Sequence, residues 1–432
     1  MPRPHPDRRV APGGAGLGTA AHWLGFPVVH RLAVLSMHTS PLAQPGAGDG
    51  GGMNVYVRSL SSALARAGMD CDVYTRAWRR GLSSVVTVEP GFRVHHVRAG
   101  PVAPVPKEEM LALAGEFADG VLTRARAQGE PDLIHANYWL SGVSGHALKH
   151  ELDVPLVCTF HTLALVKALD DPAVDGEQRE AAEAEVVGCS DAILASSDDE
   201  RAQLERLYGA AEGRVEVVPP GVDHDLFGPG DRAEARAALG LGAGPVLLFV
   251  GRIQPLKGVD VAIEATARSG PDACLLVVGG PSGPHGTAER RRLGGLVDAL
   301  GMRSRVRFVP PQPHARLATY YRAADACLVP SRSESFGLVA LEAAACGTPV
   351  VAARVGGLQT LVEHAATGFL VDGPDAAAFA SWVTELLADP AGAAAMGAAA
   401  VALARRYSWS ITAARMRRLC ADLTARDRVE CR

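Results

Sequence analysis

The sequence contains no C-x-x-C pair, although it has eight cysteines among its 432 residues. Most of these cysteines lie inside apolar patterns that predict buried strands or helices. Isolated buried thiols are typical of a reduced cytoplasmic protein. We therefore predict a cytoplasmic location, no zinc site and no disulfide framework.

Long apolar runs and an excess of one charge are also missing. No run approaches the length of about 18 residues that a membrane-spanning helix needs, so we predict no membrane span. Lys and Arg together number 43 against 47 Asp and Glu, a net charge of −4. This balance gives no electrostatic reason to expect nucleic acid. The expected partners are small-molecule substrates, and a homodimer stays open.

The first residues are rich in glycine rather than in apolar side chains. Arg3, Arg8 and Arg9 resemble the start of a signal peptide, but five glycines interrupt the apolar stretch that such a peptide needs. We expect residues 1–30 to form a disordered N-terminal extension, with a signal peptide as the alternative.

The remaining chain alternates short apolar strands with amphipathic helices, which predicts parallel sheets covered on both faces. A Pro- and Gly-rich stretch, Val217 to Asp231, divides this pattern and predicts a linker. We predict an α/β fold of two facing Rossmann-like, doubly wound domains, 31–220 and 221–405, with a ligand cleft between them. Residues 406–432 are expected to form a helix that packs back on the first domain. The predicted strands are 32–36, 71–75, 93–98, 132–135, 154–159, 191–195, 214–218, 246–250, 274–278, 305–309, 326–329 and 349–352.

A glycine-rich loop, SMHTSPLAQPGAGDGGGMNVY (Ser36 to Tyr56), joins the first strand to a helix that begins near Met53. Backbone N–H groups in such a loop, with a helix N-terminus behind them, favour an anion. The loop contains G-x-G-x-x-G, and Asp70 and Asp72 follow where a dinucleotide fold places its ribose ligand. However, the first glycine comes too late after the strand, and both Asp precede the second strand. Phosphate binding is favoured, and dinucleotide binding is the alternative.

Two further segments carry charged residues at predicted strand ends. FVGRIQPLKG places Arg252 and Lys257 after a buried strand, where two cations can hold a diphosphate. PSRSESFGLVALEA places Glu334 in a turn and Glu342 inside an apolar helix. A carboxylate on an apolar background needs a partner, and sugar hydroxyls are suitable. The alternatives are solvated cations, a helix-capping Glu334 and a solvated Glu342.

These motifs, with the turn at Gly356 and Gly357, resemble the retaining, nucleotide-sugar-dependent glycosyltransferases of the GT-B fold. The strings NYWLSG, HTLALVK and GGPSGP are similar to the subfamily that joins N-acetylglucosamine from its UDP ester to 1D-myo-inositol 3-phosphate in mycothiol biosynthesis. The resemblance implies that Arg252 and Lys257 neutralise the diphosphate leaving group and that no cofactor or catalytic metal is required; bound magnesium stays open. The donor-binding residues that it implies are Gln44, Pro45, Gly51, Gly52, Arg252, Lys257, Gln312, Glu334, Ser335, Phe336, Gly337 and Glu342.

For the acceptor, the resemblance implies a phosphate clamp formed by two cations and two hydroxyls. Lys107 and Arg179 would supply the counter-charges for the dianion. Tyr138 and Thr162 would donate hydroxyl groups. The inositol ring would contact Asn54 and His38.

The same resemblance implies four catalytic residues: His161, Arg252, Lys257 and Glu334. A double displacement would need a carboxylate near the anomeric carbon, and the predicted loops of the first domain offer none. We therefore expect attack on the face from which UDP departs, with His161 holding the sugar 6-hydroxyl rather than acting as a base. Another acceptor, such as fructose 6-phosphate or an aminocyclitol, is the first alternative, and an NAD-dependent oxidoreductase is the more distant one.

Overall fold

The computed structural model describes residues 29–46, 48, 50–169, 176–283 and 285–431. The extension expected over residues 1–30 falls outside these residues except for its last two. The described chain forms two α/β units, each built on one sheet.

In the N-terminal unit, apolar strands alternate with helices, and one helix is preceded by a 3-10 turn at Lys107–Leu113. Alternate residues of the first strand pack on opposite faces of the sheet, Leu32 and Val34 on one and Ala33 and Leu35 on the other. The elements are β1 (Arg31–Leu35), α1 (Gly52–Arg66), β2 (Asp70–Arg76), β3 (Val85–Glu89), β4 (Phe92–Val97), α2 (Ala114–Gln128), β5 (Leu133–Asn137), α3 (Trp139–Leu152), β6 (Leu156–Thr159), α4 (Ala164–Ala168), α5 (Gly176–Cys189), β7 (Ala192–Ala195), α6 (Asp198–Tyr208) and β8 (Val215–Val217).

The C-terminal unit follows the same plan and ends in three consecutive helices. Its elements are α7 (Arg232–Ala238), β9 (Val246–Val250), α8 (Val259–Arg268), β10 (Cys274–Val278), α9 (Gly286–Ala299), β11 (Val306–Val309), α10 (His314–Ala323), β12 (Ala326–Val329), α11 (Leu338–Ala345), β13 (Val350–Ala353), α12 (Leu358–Leu361), β14 (Gly368–Val371), α13 (Ala376–Ala388), α14 (Pro390–Ala404) and α15 (Trp409–Thr424); a 3-10 turn spans Pro255–Lys257.

Both sheets have a point at which the strand order reverses. Within the described residues the first sheet has the order β3-β4-β2-β1-β5-β6-β7-β8, parallel except for β3, and the second has the order β11-β10-β9-β12-β13-β14. The order reverses between β1 and β5 and between β9 and β12. Open α/β sheets bind ligands beyond the carboxyl ends of their strands at such points. The fold therefore brings the loops after these four strands to the cleft.

The last helix of the chain belongs in space to the first sheet. Trp409 and Met416 of α15 are buried in the same apolar cluster as Tyr56 and Leu60 of α1. The Trp409 and Tyr56 rings meet edge to face at 5.8 Å. The chain thus crosses to the second unit and returns to the first.

The structure differs from the sequence-based expectation at several elements. The short strand β3 was not predicted, because it is an antiparallel edge strand whose residues are largely half-exposed and show little apolar signal. Strand β14 (Gly368–Val371) is also absent from the predicted strands. The strand predicted over 132–135 is observed as β5, which begins one residue later and ends two residues later.

All eight cysteines are free, and six of them are buried. In the described part of the chain, no single helix has the length and apolar character needed to cross a membrane. One bent pair, α13 and α14 at 106°, meets the length and composition test only as a pair.

Candidate active site

A cavity of about 990 Å³ lies between the two units. Loops after the carboxyl ends of strands from both sheets line it. Sixteen of the residues proposed from the sequence lie along its wall: His38, Pro45, Gly51, Gly52, Lys107, Tyr138, His161, Thr162, Arg252, Lys257, Gln312, Glu334, Ser335, Phe336, Gly337 and Glu342.

Three proposed residues are not among the residues that line this cavity: Gln44, Asn54 and Arg179. Gln44 is exposed. Asn54 is 1% exposed and lies behind the glycine-rich loop. Its amide donates to Thr39 Oγ1 at 2.8 Å and to the Ser40 carbonyl at 2.6 Å, and its Oδ1 accepts from Gly51 N at 2.8 Å. The structure therefore gives Asn54 a loop-shaping position in place of the ring contact expected from the sequence.

Arg179 is held beneath the acceptor side of the cleft. It pairs with Glu183 at 2.7 Å, and its Nη2 donates to the Thr162 carbonyl at 2.9 Å and to Thr162 Oγ1 at 3.1 Å. Its guanidinium also lies 5.0 Å from the centre of the Tyr138 ring. Arg179 thus contacts both Thr162 and Tyr138 from behind the cleft wall.

The glycine-rich loop crosses from the first unit to the second. Gly280 N donates to the Gly46 carbonyl at 3.0 Å. A Cβ added at Gly51 would lie 3.2 Å from Arg252 Nε. The loop therefore lies directly against a cation of the opposite unit, as a phosphate site shared by both units requires.

The second unit places its charged residues around one end of the cleft. Lys257 Nζ donates to Glu334 Oε2 at 2.6 Å, and Arg252 Nη1 lies 3.4 Å from Ser282 Oγ. Glu342 is buried, and its two oxygens accept hydrogen bonds from His314 Nε2 at 2.6 Å and from the Tyr321 hydroxyl at 2.8 Å. Burial opposes protonation of His314, but the Glu342 carboxylate outweighs it and raises the pKa of the imidazole. The buried Glu342 carboxylate therefore has two hydrogen-bond partners within the protein, His314 and Tyr321.

A pair of glycines supports the loop that carries Glu334. Gly357 N donates to the Glu334 carbonyl at 3.1 Å. Gly356 has φ +47°, and a Cβ there would lie 1.9 Å from that carbonyl oxygen. A Cβ at Gly357 would lie 2.5 Å from the Cα of Phe336. Only residues without a side chain allow this close approach.

Ser335 joins the two units through both its side chain and its backbone. Its hydroxyl donates to the His161 carbonyl at 2.6 Å. Its own carbonyl lies within hydrogen-bonding distance of the hydroxyls of Ser196, at 3.1 Å, and Ser197, at 3.3 Å. We call these three contacts the Ser335 latch. It fixes the Glu334 loop against the strand ends of the first unit.

The acceptor side contains two residues with left-handed backbone. Tyr138 has φ +75° and His161 has φ +63°, a conformation that costs energy for bulky residues and occurs preferentially at functional sites. His38 packs on Tyr138 with ring centres 4.5 Å apart. Burial, reinforced by Lys107, Arg252 and Arg179, lowers the pKa of His38 to about 3. The positive potential of these three cations would also attract an anion.

His161 has a defined hydrogen-bonding pattern. Its Nε2 lies 2.9 Å from Asn137 Oδ1, which can only accept, so Nε2 carries the proton and Nδ1 is an acceptor. Burial, together with His135 and His38, lowers the pKa of His161 to about 3. The His161 ring therefore stays neutral at pH 7. A neutral ring is suited to accept a hydrogen bond from a sugar hydroxyl rather than to act as a cationic acid.

Sequence reasoning missed several residues that shape the cleft. Glu200 lines it and is 3% exposed, and its carboxylate accepts hydrogen bonds from the backbone N and hydroxyl of Ser196. The first unit therefore places one carboxylate at the cleft wall, where Ser196 holds it as part of the cap of α6. The signal was present as Ser197-x-x-Glu200, a capping pattern directly after β7. His314 and Asn137 carried no comparable local signal.

The acid expected to bind a dinucleotide ribose has a structural role. Asp72 is buried in the amino-terminal half of β2, away from the strand end that faces the cleft. It pairs with Arg93 at 2.7 Å and with His95 at 2.8 Å. The dinucleotide alternative therefore loses its ribose ligand.

Two family models match most of the chain. Residues 50–226 match the model described as Glycosyltransferase Family 4, and residues 231–402 match that of Glycosyl transferases group 1. The D-inositol 3-phosphate glycosyltransferase of Acidothermus cellulolyticus is 48% identical over 93% of this chain and 92% of its own length. The D-inositol 3-phosphate glycosyltransferase 2 of Catenulispora acidiphila is 49% identical over 89% and 93%.

Solved structures agree with these relatives. A sucrose-phosphate synthase from Thermosynechococcus elongatus is 38% identical, covers 92% of this chain and 99% of its own, and superposes with a TM-score of 0.86. Anabaena HepE, solved in complex with UDP and glucose, shares the fold with a TM-score of 0.74 over 91% of this chain and all of its own, at 21% identity. The GT-B fold and the glycosyltransferase activity expected from the sequence are confirmed, and the chain belongs to the D-inositol 3-phosphate glycosyltransferases of glycosyltransferase family 4.

Proposed function

We propose that this chain transfers N-acetylglucosamine, with retention, from UDP-N-acetylglucosamine to 1D-myo-inositol 3-phosphate, giving N-acetylglucosaminyl-inositol phosphate and UDP for mycothiol biosynthesis. The observation that carries the proposal is the acceptor cluster, in which Arg179 contacts both Thr162 and Tyr138 beside His38. Lys107 lies on the same wall of the cleft. Lys107 and two hydroxyls at the cleft wall, with the buried Arg179 behind the hydroxyls, suit a phosphate dianion better than an uncharged sugar.

On the donor side, the diphosphate would lie between the glycine-rich loop and Arg252. Lys257 would share its charge between the diphosphate and Glu334, which leaves a carboxylate oxygen to accept a sugar hydroxyl. The backbone of Ser335, Phe336 and Gly337 precedes the N-terminus of α11, whose dipole favours the anion. Glu342 would accept ribose hydroxyls with the lone pairs that His314 and Tyr321 leave.

The proposed reaction is a same-face substitution. The bond from the anomeric carbon to the UDP oxygen breaks as the bond to the acceptor oxygen forms, and the acceptor proton passes to an oxygen of the departing diphosphate. Arg252 and Lys257 stabilise the charge that develops there. His161, through Nδ1, would accept the 6-hydroxyl of the sugar. No cofactor is required in this scheme, and the two cations supply the stabilisation that a metal ion provides elsewhere.

The class of substrate and the cellular location are proposed from the composition of the chain. We propose small-molecule substrates without a nucleic-acid partner, and a cytoplasmic location, on the basis of the near-neutral charge and the eight free cysteines. Whether the chain forms a homodimer stays a prediction for solution measurement.

The experiment is mass spectrometry of the product formed from UDP-N-acetylglucosamine and 1D-myo-inositol 3-phosphate. The matched reaction contains unphosphorylated myo-inositol, which the phosphate clamp should reject. We expect one product with the mass of the phosphorylated disaccharide and none with free inositol. Equal turnover of both acceptors would refute the clamp.

A second candidate acceptor is fructose 6-phosphate, which the 38% identity to a sucrose-phosphate synthase favours. The same assay with fructose 6-phosphate, and with UDP-glucose as donor, separates the two. Product formation from fructose 6-phosphate alone would overturn the inositol phosphate assignment and leave the glycosyltransferase activity intact.

A further inference from the structure

The structure brings together three metal-ligating side chains at the end of the chain, away from the cleft. His146 and His150 are four residues apart on α3, so they share one face of that helix. Their rings meet at 5.1 Å. The thiol of Cys431 joins them, and one ligand atom from each of the three residues lies within 4.8 Å of the other two.

The C-terminal tail reaches this position through defined contacts. Val429 N donates to Asp191 Oδ1 at 2.7 Å, and Lys149 Nζ donates to the Val429 carbonyl at 2.9 Å. Lys149 and Asp191 form a buried ion pair at 2.9 Å. Arg428 pairs with Asp153 at 2.7 Å. Because Arg428 and Val429 are anchored on the first unit, Cys431, two residues further on, is held close to α3.

A second group of contacts surrounds the three residues. Glu185 of α5 lies 3.2 Å from His146 Nδ1, which is the arrangement by which a carboxylate orients a histidine that binds metal through its other nitrogen. Cys189, at the end of α5, is buried, and its thiol is hydrogen-bonded to that of Cys431.

We propose that His146, His150 and Cys431 bind Zn²⁺ and thereby fasten the C-terminal tail to α3. Two imidazoles and one thiolate are typical zinc ligands, and a water molecule would complete a tetrahedron. Metal–nitrogen bonds of about 2.0 Å and a metal–sulfur bond of about 2.3 Å place tetrahedral ligand atoms about 3.5 Å apart. Side-chain rotations on an exposed face can close the remaining gap. The expectation of no zinc site considered only the cysteine spacing; the signal for this site is the four-residue spacing of His146 and His150 on one helix.

The test uses the full-length, untagged protein, reduced and metal-free, titrated with ZnCl₂ and separately with CoCl₂. We expect one equivalent of zinc, a thiolate-to-cobalt charge-transfer band, and a melting temperature that rises with zinc concentration, since the ligand binds only the folded state. Cys431→Ser should abolish the band, His150→Ala should abolish stoichiometric binding, and Glu185→Gln should weaken zinc affinity by about 10–100-fold.

Matched controls are Cys274→Ser, a half-buried cysteine of β10, and His30→Ala, an exposed histidine; both should bind zinc as the wild type does. Zinc should also slow hydrogen exchange at residues 428–431, a readout independent of the ligand variants. Failure to bind zinc, or an unchanged charge-transfer band in Cys431→Ser, would overturn the proposal. So would a Cys189–Cys431 disulfide found in freshly lysed, alkylated cells.

Discussion

Replacing Gly356 by alanine tests whether the position of the Glu334 loop sets the rate of transfer. The new Cβ would lie 1.9 Å from the Glu334 carbonyl oxygen, where ordinary contacts begin at 3.4 Å. The loop must therefore move by roughly 1–1.5 Å, and a displacement of about 1 Å at a reacting centre can cost about 100-fold in rate. That factor corresponds to about 2.7 kcal/mol of transition-state stabilisation.

Backbone strain has to be separated from this displacement. Gly356 and Gly373 both have positive φ, +47° and +72°, so alanine costs roughly 1–2 kcal/mol at either position. An added Cβ at Gly373 meets nothing within 4 Å. Gly373→Ala therefore carries the strain without the collision and is the matched control.

The assay is steady-state UDP release, with thermal melting and calorimetric UDP binding on the same samples. We expect kcat/KM of Gly356→Ala to fall about 100-fold below that of Gly373→Ala, while both variants stay folded. If the two variants differ by less than about threefold, the Glu334 loop tolerates the shift and the reasoning fails.

Two further predictions concern the latch and the buried histidines. Ser335→Ala removes the hydrogen bond to the His161 carbonyl, worth about 0.5–1.5 kcal/mol, so kcat/KM should fall about 2–10-fold, and Ser335→Thr should restore part of it; equal rates in wild type and Ser335→Ala would show that the latch does not assist transfer. Burial lowers the pKa of His38, His135 and His161 to about 3 from 6.5. Below pH 6.5 these histidines bind protons in the unfolded chain but stay neutral in the folded chain. The free energy of unfolding should therefore fall as the pH drops from 6.5 toward 3, by up to about 1.4 kcal/mol per pH unit for each histidine. Denaturant unfolding at pH 7 and pH 5 should show this loss, and a smaller one in His135→Gln; equal losses in the two proteins would contradict the assignment.

Five of the six strands of the second sheet were predictable from the sequence because they are largely buried on both faces; β14 was not predicted, although it is also buried. Strands such as Val246–Val250 and Cys274–Val278 have continuous apolar runs and clear boundaries. The same reasoning failed for β3, because it is an edge strand that pairs only with β4 and its residues are largely half-exposed. Continuous burial therefore makes most strands recognisable, and β14, a short buried strand that begins at a glycine, is the exception.

Site residues divide along a different line. Arg252, Lys257 and Glu334 were identifiable because short loops after strands must face the cleft in this topology. Asn54 also follows glycines, but its side-chain amide forms hydrogen bonds with the backbone of its own loop. The sequence does not show whether a loop side chain points into the cleft or back into the loop. His314 as the partner of Glu342 depends on the packing of α10 against α11, a tertiary contact without a local pattern.

The return of α15 to the first sheet has a consequence for synthesis of the chain. Cys420 and Leu423, near the C-terminus, bury against α1, which begins at Gly52. The unit that emerges from the ribosome first therefore completes its core last. Until the final helix is released, the apolar face of α1 is open to water and to other nascent chains, a state in which unfinished proteins aggregate. A truncation of α15 would consequently harm yield more than its distance from the cleft suggests.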